Sequence, residues 1–177
     1  MALPDRLRMP PVFLSLLSGV ILCLAFPGPD AGFLAWIGLV PLLLALAGRR
    51  PCSGFLLSWT SGIVFFAGVF SWLLDVPGYT LLHHGILAVL MGLHWGAFGL
   101  GLTLVQRKLD LRFSLFSAPF LWVSLEYLRS HLGFMSLPWA LLGHSQYRYP
   151  VLIQPADLTG VYGISFLVVL VNASLAS

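Results

Sequence analysis

Six apolar runs dominate the sequence, and short breaks rich in proline, glycine or charge separate them. A helix needs about 20 residues to cross roughly 30 Å of hydrocarbon, and most of the runs approach that length. Charged residues make up 8% of the chain and hydrophobic residues 59%, whereas soluble domains carry about 25% charged residues. The sequence therefore predicts an all-α, polytopic transmembrane helix bundle with about six spans, near 11–26, 32–47, 53–74, 85–106, 113–132 and 158–176.

The first two runs are short, but clear breaks bound both of them. The turn "FPGPD" at 26–30 cannot continue a helix, and "GRRP" at 48–51 closes the second run. We interpret the two runs as a helical hairpin; a buried hairpin that never spans the bilayer is the alternative. The basic start at Arg6 and Arg8 also fits a signal peptide, but the leucine before Cys23 does not fit a lipoprotein cleavage site.

Basic residues predict the orientation. If the N-terminus is cytoplasmic and six helices alternate, only Arg129 and Arg148 lie outside. This bias follows the positive-inside rule and places the N-terminus in the cytoplasm. The net charge of +3 comes without a basic stripe that could follow phosphates, so no nucleic-acid partner is expected. The seven residues predicted to be cytoplasmic are Arg6, Arg8, Arg49, Arg50, Arg107, Lys108 and Arg112.

Residues 133–157 form a segment of intermediate character. It is too apolar for a free loop in water, and three prolines interrupt it too often for a spanning helix. Such a segment is typical of the membrane interface, where rings such as those of Trp139 and Tyr147 are half apolar and half wet. Non-helical backbone at that depth must be covered by protein or line a wet cavity. The alternative is an aromatic belt with no further role.

Glu126 and Arg129 are three residues apart in the fifth run and share a helix face. Glu126 lies roughly 20 Å along a helix that starts at Phe113, which puts it in the outer third of the bilayer. We expect the two charges to neutralise each other in part and to extend outward. Two interpretations remain open: a structural ion pair that fixes the next loop, or a polar wall for a lipid headgroup or an amine.

Sequence motifs for other chemistry are missing. His83 and His84 point to different faces of a helix, and His94 has no partner at bis-haem spacing, so neither a metal nor a cofactor is expected. No glycine-rich phosphate loop, HExxH or GxSxG occurs. Cys23 and Cys52 offer no disulfide framework. The run "GLHWG" at 92–96 predicts close helix packing.

Residues 122–176 contain the pattern W-x-x-x-E-x-x-R, then Pro-Trp, then Gly-x-Ser-Gln, then Gly-Val-Tyr-Gly with a later Asn. By this pattern the chain resembles the amino-terminal membrane region of bacterial apolipoprotein N-acyltransferases. The likeness covers the whole chain, since "LAFPGPD" is similar to the family's turn after its first helix, but its specific part is 122–176. Leu137 departs from the family pattern, because the family often has phenylalanine there. The matching residues are Trp122, Glu126, Arg129, Pro138, Trp139, Gly143, Ser145, Gln146, Gly160–Gly163 and Asn172.

The resemblance implies an acyltransferase of lipoprotein maturation. Such an enzyme moves a fatty acyl group from a phospholipid to the amino group of a diacylglyceryl-cysteine, through a thioester on a cysteine of a nitrilase-like domain. We expect 1–177 to be the amino-terminal transmembrane domain, a fragment without that catalytic domain, with no catalytic residue and no activity of its own. The expected partners are a phospholipid acyl donor, a diacylglyceryl apolipoprotein and membrane lipid. The expected location is the bacterial inner membrane, with the functional face outward.

Segment 133–157 is then expected to form part of an outward-facing vestibule. Trp139 and Tyr147 would contact acyl chains or glycerol, while the other candidates would orient a headgroup or hold the loop. A complete small membrane protein that binds lipid or a partner without chemistry is the alternative. The candidate substrate-binding residues are Glu126, Arg129, Trp139, His144, Gln146 and Tyr147.

Overall fold

The computed structural model describes residues 9–133 and 136–177, and that part of the chain is helical without a β-strand. Arg6 and Arg8, and positions 134–135 of the predicted interfacial segment, lie outside the described residues. Short 3₁₀ segments cover Gly32–Leu34, Ser71–Asp75 and Leu142–Gln146. The α-helices are α1 (Pro11–Leu24), α2 (Ala35–Gly38), α3 (Val40–Leu46), α4 (Pro51–Val69), α5 (Leu81–Gln106), α6 (Leu111–Leu115), α7 (Ala118–Ser130), α8 (Pro150–Ile153) and α9 (Ala156–Ala176).

Helices α4, α5 and α9 are long and apolar enough to cross a membrane, and shorter apolar helices accompany them. Run 158–176 is broken near its start by Gly160, whose φ is 64° inside α9. Two further runs are divided between separate helices. Run 32–47 consists of a 3₁₀ turn, α2 and α3, and run 113–132 consists of α6 and α7. In both cases a proline lies in the first turn of the later helix, because a residue without an N–H fits the first turn but not a helix interior.

Helices α4 and α5 pack closely through glycines. A Cβ on Gly62 would lie 2.9 Å from Trp95 Cβ, and one on Gly92 would lie 3.1 Å from the Ile63 nitrogen. A Cβ on Gly99 would meet the Ser58 hydroxyl. The prediction that "GLHWG" serves helix packing is therefore confirmed.

Buried aromatic rings connect α4, α5 and α7. The ring centroids of Phe65 and Trp95 are 5.0 Å apart and the rings stack, while Trp95 and Trp122 meet edge to face at 4.9 Å. Phe98 packs against Trp122 at 5.0 Å. Aromatic pairs at these separations stabilise the fold by more than the burial of their apolar area alone. This cluster therefore fixes how α7 packs on the α4–α5 pair.

Two helix connections meet at one end of the bundle. The Gly48 N–H donates to Gln106 Oε1 at 3.3 Å, which links the α3–α4 connection to the last residue of α5. Arg49, Arg50 and Arg107 line a cavity of about 210 Å³ there. Three of the basic residues that predicted the orientation thus share one end.

Candidate functional site

The turn after α1 contacts the segment before α8. The Tyr147 hydroxyl donates to Asp30 Oδ1 at 2.5 Å, and Arg148 Nη2 lies 2.6 Å from Asp30 Oδ2. Arg148 Nε also donates to the Tyr147 oxygen at 3.0 Å. The hydrogen bond to Tyr147, followed by the charge of Asp30, raises the pKa of Arg148. Asp30 has a φ of 58°, a left-handed conformation that aspartate tolerates better than most residues.

This contact frames an open groove with a volume of about 460 Å³, which we call the aromatic groove. Trp139 is 52% exposed, and its ring lies 6.0 Å from that of Trp72, which follows α4. Ala140 has a φ of 54°, so the chain turns sharply directly after Trp139. The groove is lined by Phe26, Pro27, Val69, Phe70, Trp72, Trp139, Ala140, His144 and Tyr147.

His144 is the imidazole in this groove. The Leu141 N–H donates to His144 Nδ1 at 3.3 Å, so Nδ1 accepts and the proton of the neutral ring resides on Nε2. Burial, followed by the positive charge of Arg129, lowers the pKa of His144. The groove therefore combines apolar walls with a neutral imidazole and a phenol, groups that can hold a hydrocarbon chain and hydrogen-bond to a polar end.

Gln146 lies behind the groove rather than in it. Its side chain is fully buried and all its contacts are internal. Oε1 accepts from Trp36 Nε1 at 2.9 Å, and Nε2 donates to the Gly32 carbonyl and the Ser145 hydroxyl, both at 2.8 Å. These contacts favour the loop-holding role over the orientation of a headgroup.

Glu126 is 2% exposed, and it binds the segment that follows its helix. Its Oε1 accepts from Trp122 Nε1 at 3.0 Å and from the Leu142 N–H at 2.7 Å. The second bond satisfies a backbone donor at the start of the Leu142–Gln146 turn. An unpaired buried backbone donor is destabilising, and the Glu126 carboxylate supplies the acceptor for this one.

Arg129 is 4% exposed and also binds backbone. Its Nη1 donates to the carbonyls of Leu137 at 2.9 Å and Trp139 at 2.8 Å, and its guanidinium lies 5.5 Å from the centroid of the Phe66 ring. The prediction of an ion pair between Glu126 and Arg129 is wrong, because among the described residues no Arg129 nitrogen lies within 4.0 Å of a Glu126 oxygen. Nor do the two side chains extend outward, because both hold the irregular backbone of 137–142.

The described residues contain no group of three or more His, Cys, Asp or Glu side chains that could hold a metal ion. The sequence reasoning missed several residues that build the site. Asp30 and Trp72 lie far from segment 133–157 in the sequence. Their only signal was their position at or beside the breaks that follow the first and third apolar runs. Ser165 on α9 accepts from the Gly143 N–H at 2.8 Å, a contact with no local sequence signature.

Comparison with known proteins identifies the relatives of this chain. The profile of a family described as "Apolipoprotein N-acyltransferase N-terminal domain" matches residues 18–174. A protein named "Apolipoprotein N-acyltransferase" from Geobacter metallireducens is 41% identical over 96% of this chain and 35% of its own length. One with the same name from Chlorobaculum tepidum is 34% identical over 92% of this chain and 30% of its own. The chain thus spans about a third of the length of these relatives.

Proposed function

Because the chain belongs to the apolipoprotein N-acyltransferase family, we propose that it forms the membrane portion of an enzyme that transfers a fatty acyl group. The donor is a phospholipid and the acceptor is the amino group of a diacylglyceryl-cysteine in a maturing lipoprotein. The covalent chemistry belongs to the remaining two thirds of such an enzyme. The role of these residues is to hold the lipid substrates in the membrane and present them to that chemistry.

The proposed topology has six spans with the N-terminus in the cytoplasm of a bacterial inner membrane. Helices α1, α4, α5 and α9 are four of the spans, and the interrupted pairs α2–α3 and α6–α7 are the other two. Residues 111–130 rise about 30 Å at 1.5 Å per residue, enough to cross the hydrocarbon despite the break. The arginine-lined cavity at one end and the aromatic groove at the other support this orientation.

The aromatic groove is the observation that carries the proposal. Its volume of about 460 Å³ and its largely carbon-lined walls suit an alkyl chain. Trp139 and Tyr147 contact the acyl chain or glycerol, and His144 offers its Nε2–H to an ester oxygen. Glu126, Arg129 and Gln146 act indirectly: they bind the backbone of the segment that carries these three side chains and do not contact the lipid in this groove.

The test is Trp139→Ala in the protein expressed from its own gene, with Phe113→Ala as the matched control. Phe113 is also an exposed aromatic residue, but it lies on α6 and lines no described cavity near the groove. We expect W139A to lower N-acylation of a reporter lipoprotein, measured by mass spectrometry, at unchanged protein abundance. Acylation and abundance that fall in parallel, or equal acylation in the two variants, would contradict the role of the groove.

A further inference from the structure

A second cavity lies on the side of the bundle between α5 and α7, and its volume is about 260 Å³. We call it the lateral cleft. It shares no lining residue with the aromatic groove, and several leucines on its rim are about half exposed on the surface that faces lipid. It is lined by Leu90, Met91, Leu93, His94, Leu125, Leu128, Arg129 and Leu132.

Arg129 supplies the charge in this cleft. Both N–H bonds of its Nη1 are already engaged, since they donate to two carbonyls. Its Nε and Nη2 are buried and have no hydrogen-bond partner among the described residues. Buried guanidinium donors are normally paired, and Arg129 also lines the cleft, so an acceptor bound there would complete its pairing.

His94 adds a complementary group. Its Nδ1 contacts the Met91 carbonyl, which can only accept, so Nδ1 donates and the Nε2 of the neutral ring is an acceptor. The His94 ring also packs against Phe66 with centroids 5.3 Å apart, on the same ring that the Arg129 guanidinium covers. The cleft thus presents donors on one side and an imidazole on the other, between leucine walls.

Water is a poor occupant for a space of this shape. Water can pair with the free nitrogens of Arg129 and His94, but six of the eight lining residues are leucine or methionine, so water alone leaves most of the wall without an apolar partner. A hydrocarbon chain that carries an oxygen acceptor satisfies both the leucines and the arginine. The rim leucines leave the cleft accessible from the membrane, where such molecules are abundant.

We propose that the lateral cleft is a lipid-binding site that takes one acyl chain of a glycerolipid, with an oxygen of that lipid accepting hydrogen bonds from Arg129 Nε and Nη2. The acceptor is an ester carbonyl or a phosphate oxygen, which are the two oxygen types near the head of such a chain. This site is separate from the aromatic groove and does not depend on its role.

The experiment uses the protein expressed from its own gene and reconstituted in vesicles with a phosphatidylglycerol that bears a diazirine on one acyl chain. Illumination should label the cleft-facing parts of α5 and α7, located by peptide mass spectrometry. Leu93→Trp fills the cleft and should abolish that labelling. Leu100→Trp is the matched control, because Leu100 lies two turns along the same helix, is similarly exposed and lines no described cavity. The L100W variant should be labelled as strongly as the unmodified protein.

Unlabelled competitors identify the acceptor. A diether phospholipid keeps the phosphate but lacks ester carbonyls, and a diacylglycerol keeps the carbonyls but lacks the phosphate. Competition by only one of them assigns the Arg129 acceptor. Equal labelling of L93W and L100W overturns the site. Equally strong competition by octadecane, which has no oxygen, overturns the role of Arg129. Because the readout is lipid labelling, either result leaves the acylation test of the groove unaffected.

Discussion

Asn172 on α9 offers the sharpest test of how the bundle is held together. Its side chain is fully buried and faces the break between α2 and α3. Oδ1 accepts from the N–H groups of Leu39 at 2.8 Å and Val40 at 3.2 Å, and Nδ2 donates to the carbonyls of Ala35 at 2.9 Å and Val168 at 2.8 Å. One amide therefore satisfies three backbone groups that the interrupted run leaves exposed.

Replacement of Asn172 by leucine keeps a similar volume and removes these partners. The three groups outside α9 would then be unpaired in a region without water. Side-chain hydrogen bonds in membranes are worth about 0.6 kcal/mol on average and up to about 1.7 kcal/mol, so three of them give about 2 to 5 kcal/mol. We expect N172L to lower the free energy of unfolding by that amount.

The assay is unfolding in detergent micelles titrated with sodium dodecyl sulfate, followed by tryptophan fluorescence and extrapolated linearly. Ser174→Ala is the control: its hydroxyl donates to the Leu170 carbonyl within the same helix and is exposed. We expect a change below about 0.5 kcal/mol there, as for most surface substitutions. If N172L is no less stable than S174A, the break between α2 and α3 does not depend on this amide and our account of it is wrong.

Two further predictions concern packing and pH. Gly99→Ala should destabilise the protein by about 1 to 3 kcal/mol in the same titration, because its Cβ would meet the Ser58 hydroxyl; Gly101→Ala should have little effect, since its Cβ would lie 3.6 Å from Leu121 Cδ2. The lowered pKa of His144 means that the folded state binds fewer protons than the unfolded state as pH falls below the ordinary value of 6.5. Thermal stability should therefore fall with acidification, and less steeply in His144→Gln; equal slopes would contradict this.

Helices were predictable here because lipid leaves a spanning backbone no partner outside itself. Every apolar run contains α-helix in the structure. The breaks within runs 32–47 and 113–132 were not predicted, because composition stays apolar across them. Pro41 and Pro119 carried the local signal, yet a proline inside an apolar run fits either a kink or a new helix start, and only the neighbouring helices decide between them.

The aromatic groove was partly predictable. Trp139, His144 and Tyr147 were expected to line a common surface, and the structure brings them together in one groove. Asp30 joins this surface across more than a hundred residues of sequence through Tyr147 and Arg148, and such a contact has no local pattern. Helix periodicity predicts which residues share a face, but it does not predict the tertiary partner of that face.

The polar residues of this site are explained by the backbone that surrounds them. Irregular buried chain needs donors and acceptors from side chains, and Glu126, Arg129 and Gln146 supply them to residues 137–142 and to Gly32. Substitution of any of these three should therefore reduce folding and acylation together. Among the described residues the Trp139 side chain has no hydrogen-bond partner, and it is half exposed, so its loss can affect acylation alone. The ratio of acylation to abundance is thus the quantity that separates substrate contact from support of the loop.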